Sequence, residues 1–384
     1  MMAAVYIPLD LQIEILLRLP EKSLYRFRSV SKVWYSIITS DFMNIVASLA
    51  APPRLLIAFA EFYGEESLVA SLLSSSSSSY RDFGQVNIKG KVVYNAVRGL
   101  ICVGAGFANV GICNPSTRQV HNLPQLRFKS TPQIFPRPEY IFGYDPVEDQ
   151  YKVLAVDQWP QRGEHKVLVL GGEEAWREAS CVICPHFVYT RGLYMNGAMY
   201  YGASKEDINP NNGIFQNTFS RRNNNSIIVS FDVRLETFNI IKVPSKVLPI
   251  GYKNLWGHIT DKTMHKTLIN YRGKIGVVEK PGEDSFKMWV VEVAEKEEWS
   301  FNTFHLPESA AGLDFKVVDT FHNGEICLVP RQLSDPFRLF YYNLEKKSMR
   351  SVIIEGLPVS KFKQVHQLSV TVSEHHESFM LLET

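Results

Sequence analysis

Residues Asn323-Gly324-Glu325-Ile326-Cys327, followed by Tyr342-Asn343-Leu344 to Met349 and closed by Leu357-Pro358, carry the pattern on which the fold turns. The first piece is a strand broken by an Asn-Gly turn, a dipeptide that tolerates positive φ in a hairpin. The second is an apolar run, an Asn, a polar turn and a large apolar residue. The strand with its Gly turn recurs at Arg98-Gly99-Leu100-Ile101-Cys102, Asn196-Gly197-Ala198-Met199-Tyr200 and Arg272-Gly273-Lys274-Ile275. The apolar run and its polar turn recur at Ser230-Phe231-Asp232 to Phe238 and at Val291-Glu292-Val293 to Trp299. Aliphatic-Pro pairs close the copies at Leu123-Pro124, Val243-Pro244, Leu306-Pro307 and Leu357-Pro358, with prolines 120, 63 and 51 residues apart. The first gap holds two units, the missing copy being supplied by Phe142-Gly143-Tyr144-Asp145-Pro146 and Trp176-Arg177. A strand-built unit of ~50 residues is the size of a propeller blade. A β-sandwich with shared turn chemistry is the alternative; the repeat favours the propeller.

Bulk properties agree with a large β domain beside a small module. The chain has 384 residues, 45% hydrophobic and 21% charged, with 23 Phe and 17 Tyr, a composition that leans toward strands. Lys and Arg number 41 against 39 Asp and Glu, so no broad basic field is available for nucleic acid or an anionic membrane. The five cysteines, Cys102, Cys113, Cys181, Cys184 and Cys327, are odd in number and widely scattered, which points to a reducing compartment. Asp10, Glu14 and Arg18 interrupt the first apolar stretch, so a signal peptide is not expected. The expected location is the cytoplasm or nucleus.

Residues 6 to about 48 have a helical texture instead. Leu9, Ile13, Leu16 and Leu17 form one stripe, and Leu11, Ile15 and Leu19 a second on an adjoining face. Pro8 suits the first turn and Pro20 ends the helix. A second short helix carries Leu24 and Phe27, and a third carries Val33, Trp34, Ile37 and Ile38. So small a unit cannot hide both stripes of its first helix. The spare face packs either on the downstream domain or on another protein.

Two polar stretches interrupt the β region, Ser74–Ser79 and Ser204–Ser226, and both read as loops. Arg54-Leu55-Leu56-Ile57-Ala58-Phe59 and Gln367-Leu368-Ser369-Val370-Thr371-Val372-Ser373 are strand candidates at the two ends. A propeller must pair its ends, so the two are expected in one sheet system.

Residues Ile7-Pro8-Leu9-Asp10-Leu11-Gln12-Ile13-Glu14-Ile15-Leu16-Leu17-Arg18-Leu19-Pro20 resemble the opening of the F-box. The match continues through Lys22-Ser23-Leu24, Arg26-Phe27-Arg28, Val30-Ser31-Lys32, Trp34 and Ser40-Asp41-Phe42. The remainder is similar to the plant F-box-associated domain. The resemblance is carried by Gly99-Leu100-Ile101-Cys102, Asn114-Pro115-Ser116-Thr117-Arg118 with Leu123-Pro124, and Phe142-Gly143-Tyr144-Asp145-Pro146 with Tyr151-Lys152-Val153-Leu154. Ser29 departs from the Cys of many plant members, and the two polar insertions are not typical.

The resemblance implies an α+β multidomain chain: a small three-helix F-box over 1–48, then a large all-β, propeller-like recognition domain over 49–384. It implies a non-catalytic substrate receptor that binds a Skp-family adaptor, and through it the cullin and RING subunits of a ubiquitin ligase, while the β domain captures a protein target. Carried over by position, the implied adaptor contacts are Pro8, Leu9, Ile13, Leu16, Leu19, Pro20, Leu24, Val30 and Trp34. Any one of these, Trp34 above all, is also suited to holding the three helices together. The competing class is a ligand- or carbohydrate-binding propeller whose F-box acts outside a ligase.

Catalytic and cofactor signatures are weak by comparison. Cys181-Val182-Ile183-Cys184 has no second ligand pair, and in a strand its thiols point to opposite faces. Gly104-Ala105-Gly106 lacks the third glycine and the ribose-binding acid of a dinucleotide loop. His375-His376-Glu377 reads as a solvated stretch, and His258 and His265 lack a carboxylate at a ligand spacing. No catalytic residue, metal site or cofactor is therefore expected.

Overall fold

Leu55, Ile57 and Phe59 lie on one side of a strand, Leu56 and Ala58 on the other, and all five are buried. A strand covered on both faces reads as an unbroken apolar run, which is why residues 54–59 show no alternation. The computed structural model describes residues 7–17, 26–27, 29–39, 54–61, 67–73, 79–80, 83–86, 92–105, 109–129, 138–157, 164–171, 173–179, 186–188, 190–205, 226–244, 247, 266–279, 284–310, 312–321, 324–362, 368–375, 378 and 382.

Among these residues, the strands in chain order are β1 (Arg54–Glu61), β2 (Ser67–Leu73), β3 (Ser79–Tyr80), β4 (Phe83–Val86), β5 (Val92–Val97), β6 (Leu100–Ala105), β7 (Asn109–Asn114) and β8 (Gln119–Asn122). Next come β9 (Glu139–Asp145), β10 (Gln150–Val156), β11 (His165–Val169), β12 (Arg177–Glu178), β13 (His186–Val188), β14 (Leu193–Met195), β15 (Ala198–Lys205), β16 (Ser226–Asp232) and β17 (Phe238–Lys242). The rest are β18 (Lys266–Tyr271), β19 (Lys274–Glu279), β20 (Ser285–Val293), β21 (Glu298–His305), β22 (Phe315–Thr320), β23 (Glu325–Pro330), β24 (Phe337–Asn343), β25 (Ser348–Ile354) and β26 (Leu368–His375).

They form six sheets, the blades of a β-propeller. Blade 1 runs β26-β1-β2-β4, blade 2 β5 to β8, blade 3 β9 to β12, blade 5 β18 to β21, and blade 6 β22 to β25 with β3 on its edge. In blade 4 two short strands, β13 and β14, share the edge of β15, followed by β16 and β17. The first strands β26, β5, β9, β14, β18 and β22 neighbour one another in turn and close the ring. Six apolar clusters fill the six blade-to-blade interfaces. The sandwich alternative is thereby replaced by the propeller.

Ring closure joins the chain ends as expected. Strand β26 pairs antiparallel with β1 from Arg54↔His375 to Glu61↔Leu368. A second tie comes from β3, which pairs parallel with β25 and so links blade 1's connection to blade 6. A third lies past β26: Asn114 Nδ2 donates to the Ser378 carbonyl at 3.0 Å, and Leu382 is buried between blades 2 and 3.

The repeated turn chemistry has a specific cause. In four copies an Asn or Asp ends a strand, and its Oδ1 accepts the backbone N–H two and three residues on. Asn114 does so for Ser116 and Thr117, Asp145 for Val147 and Glu148, Asp232 for Arg234 and Leu235, and Asn343 for Glu345 and Lys346. These are Asx turns, which only a short side-chain carbonyl can build. Blade 5 has no such cap: Glu292 instead pairs with Lys274 and accepts from Ser300. The two-residue turns need positive φ at both positions, as at Arg98 and Gly99 (48° and 82°) and Asn196 and Gly197 (52° and 74°).

The boundaries of the polar stretches differ from the sequence reading. Ser204 and Lys205 end β15 and Ser226 opens β16, with Ser204 paired to Ser226, so only 206–225 lies outside the described residues. Ser79 belongs to β3, and 74–78 lies outside the described residues. At the N-terminus two helices are described, Leu9–Leu17 and Lys32–Thr39. Of the expected middle helix only Arg26 and Phe27 are described, in helical conformation.

Candidate functional site

The N-terminal unit is organised by one glutamine. Gln12 is buried, its Nε2 donates to the Ile7 carbonyl at 2.7 Å, and its Oε1 accepts from Trp34 Nε1 at 2.7 Å. A half-buried indole is thus tied to the first helix, with its ring 5.1 Å from that of Phe27. Leu16 and Ile37 are buried alongside. The second helix starts at a serine cap: Ser31 Oγ accepts the Trp34 N–H at 3.1 Å. Pro8 stands just ahead of the first helix, and its carbonyl accepts the Gln12 N–H at 3.0 Å.

Large apolar side chains remain outside, alongside the polar Glu14, Arg26, Ser29, Ser31 and Lys32. Ile7, Leu11, Ile15, Val30, Val33 and Tyr35 are exposed, from 40% at Ile7 to 60% at Val30. Among the sequence-derived contacts, Pro8 and Val30 are exposed, Ile13 and Trp34 are half-buried, and Leu16 is fully enclosed. Leu9 lies in the first helix. Leu19, Pro20 and Leu24 lie outside the described residues. Leu11, Ile15, Val33 and Tyr35 were not among the named contacts. The Leu11–Ile15 stripe was visible in the sequence, but which of two stripes turns inward depends on Gln12 and Trp34, which are distant in the chain.

The propeller presents two unlike faces. Antiparallel succession puts the tight turns, such as 98–99, 115–118, 196–197, 272–273 and 344–347, at one end of the blades. The opposite strand ends carry the longer connections, including 306–314 and 331–336, and are where 206–225 attaches. Loops of this length on a rigid scaffold are where recognition residues concentrate.

The nucleophile and ligand candidates are placed as follows. Cys102, Cys113 and Cys327 are buried cysteines outside any disulfide, and burial pushes the pKa of the Cys102 and Cys327 thiols well above the ordinary range. A thiol held protonated is a poor nucleophile. Gly104 lies in β6, where an added Cβ would meet the Tyr94 ring at 2.6 Å. Cys181, Cys184, His258, His265 and His376 lie outside the described residues. Among the described residues, no three His, Cys, Asp or Glu side chains gather as a metal site, and no helix is long and apolar enough to cross a membrane.

A helical unit with exposed apolar side chains is thus followed by a closed propeller. The F-box domain model matches residues 6–44, and the F-box associated beta propeller domain model matches residues 54–376. The chain belongs to the plant F-box proteins that carry this propeller. It is 52% identical to the Arabidopsis thaliana F-box protein At3g47150, over 99% of this chain and 98% of that one. It is 33% identical to the Arabidopsis F-box protein At5g65850, over 99% and 91% of the two chains. Identity to the Arabidopsis F-box protein DOR is 32%, over 93% and 90%.

Proposed function

We propose that this chain is the substrate-recognition subunit of a Skp-cullin-F-box ubiquitin ligase, acting in the cytoplasm or nucleus. Residues 1–48, completed as a three-helix F-box, dock on a Skp-family adaptor; residues 49–384 select a protein target for ubiquitination and proteasomal degradation. No catalytic step is assigned to the chain: it brings a target to the ligase.

The observation that carries this reading is the exposed apolar face of the N-terminal unit. Six large apolar side chains stand uncovered around two short helices, an arrangement that wants a protein partner. The contact surface centres on Pro8, Leu9, Ile13 and Val30 from the family pattern, joined by Leu11, Ile15 and Val33. Leu19, Pro20 and Leu24 extend it in the family pattern. Leu16 and Trp34 support it from inside. Purified chain titrated with a Skp-family adaptor should bind, and Leu11→Glu with Ile15→Glu should weaken binding by roughly a hundredfold, about 2.7 kcal/mol. Failure of the wild-type chain to bind any Skp-family adaptor would sink the proposal.

A further inference from the structure

Blade 6 carries a cleft of about 400 Å³ on the side of the longer connections, lined by Leu313, β24, β25 and the 331–336 loop. Its apolar lining includes Leu313, Phe340 and Met349. Its wall holds Arg338, Gln332 and Ser351, all exposed.

The charges around the cleft are not evenly matched. Arg350 lies across the Tyr341 ring at 4.1 Å and pairs with Glu325 at 2.6 Å, while Arg331 pairs with Asp314 at 3.3 Å. Glu325 and Asp314 are therefore already engaged. Arg338 has no hydrogen bond, ion pair or ring contact among the described residues, and Asp335 in the adjoining loop makes no ion pair with it. Gln332 and Ser351 likewise have no intramolecular side-chain partner among the described residues. One uncommitted guanidinium and two uncommitted polar side chains thus line the same cleft as Leu313, Phe340 and Met349.

A guanidinium offers a planar fork of donors that matches a carboxylate or phosphate, and it is a favoured anchor in protein interfaces. We infer that this cleft docks a short extended segment of the target protein in which an anionic side chain lies next to a large apolar one. The anion pairs with Arg338, Gln332 and Ser351 donate at its flanks, and the apolar side chain covers Leu313 and Met349. This rests on the receptor reading above and specifies which surface of the propeller does the selecting.

The probes are three fluorescent octapeptides, each pairing a leucine with two glutamates, two phosphoserines or two glutamines, titrated by anisotropy against the full chain. Either or both anionic peptides should bind at least tenfold more tightly than the glutamine peptide, and which of them does so tells a carboxylate from a phosphate. Arg338→Gln should erase that preference, and Leu313→Ser should weaken every peptide; both variants, altered at exposed positions, should melt like wild type. Equal binding of the three peptides, or no binding of any, overturns the inference. So does an anion preference undiminished in Arg338→Gln. Adaptor binding measured on the same preparations keeps the questions apart: its loss would strike the receptor reading and leave the cleft result standing.

Discussion

The N-terminal helices and the propeller use apolar residues in opposite ways. In the propeller, strands such as β1 are covered on both faces, and each interface between blades has its own cluster. In the helical unit, Leu16 and Ile37 are enclosed while Leu11, Ile15, Val30 and Val33 face outward. A ring of blades has no end at which burial must stop, whereas a forty-residue helical unit runs out of partners within its own chain. The lesson is that a small unit leaves part of its apolar surface uncovered, and the proposed adaptor contact rests on that surface.

The largest effect should come from opening the ring. Removing residues 364–384 takes away β26, the whole partner of β1, together with the Ser378 and Leu382 contacts on blade 2. Blade 1 would then begin with an unpaired strand edge, and Val370 and Val372 would leave the interface with blade 6. The truncated chain should lose the cooperative thermal transition of the β domain, read by circular dichroism. A melting curve that overlays that of the full chain would break the claim that the propeller is complete only with both ends.

The helical unit gives the next largest effect and sharpens the contrast between neighbouring residues. Leu16→Ala removes an enclosed side chain and should cost about 2–5 kcal/mol of the unit's stability. Ile15→Ala, at a position 42% exposed, should cost far less stability yet reduce adaptor affinity. Hydrogen exchange on residues 9–39 reads the first, and an adaptor titration the second. Equal loss of protection in both variants would show that the two stripes are not divided into an inner and an outer one.

Much of this was legible in the sequence, and the gaps have physical causes. The closing strands could be read because each end carries a strand-like run with no local partner. The recurring Asn and Asp at strand ends were visible as a pattern, and the Asx hydrogen bonds explain why Asn114, Asp145, Asp232 and Asn343 recur there. Blade 4 was less legible: its inner edge is split between β13 and β14, each three residues long. Strands so short leave no periodic signal. The ends of β15 and β16 were hidden because Ser204, Lys205 and Ser226 are polar, yet ladder pairing does not depend on side-chain polarity. The Arg338 cleft was not visible, because its lining comes from separated segments and its free charge depends on pairings elsewhere.

A smaller effect separates two identical turn caps within the propeller. Asn343→Ala loses the Asx bonds of one turn and should cost about 1 kcal/mol. Asn114→Ala loses the same bonds and also the one to the Ser378 carbonyl, so it should cost roughly twice as much. Chemical denaturation of the two variants measures the difference. Equal costs would mean that the segment beyond β26 adds nothing to closure.

The smallest effects should appear in the pH dependence of stability, where two glutamates of the propeller have opposite signs. Burial raises the Glu139 carboxyl to about 7, against the partial relief given by Arg191. For Glu236, burial also pushes upward, but the hydrogen bonds and charges of Arg177 and Lys152 outweigh it and hold the carboxyl below its ordinary value of 4.5. Lys152 is itself buried and meets Glu236 at 2.8 Å, joining blade 3 to blade 4. A group whose folded value is raised favours the folded state at low pH, and its contribution fades as pH climbs through the folded value. Glu139→Gln should therefore gain melting temperature relative to wild type as pH rises from 4.5 to about 7, with no further gain above. A group whose folded value is lowered contributes stability above its unfolded value and loses it as pH falls through the folded one. Glu236→Gln should accordingly be less stable than wild type at pH 7, because Lys152 is left buried without its counter-charge. That deficit should shrink as pH drops below 4.5, where the wild-type carboxylate itself becomes protonated. Melting curves of both variants between pH 4 and pH 8 test the pair together: differences of the same sign and slope would mean that burial alone governs both carboxyls and that the link between blades 3 and 4 is not ionic.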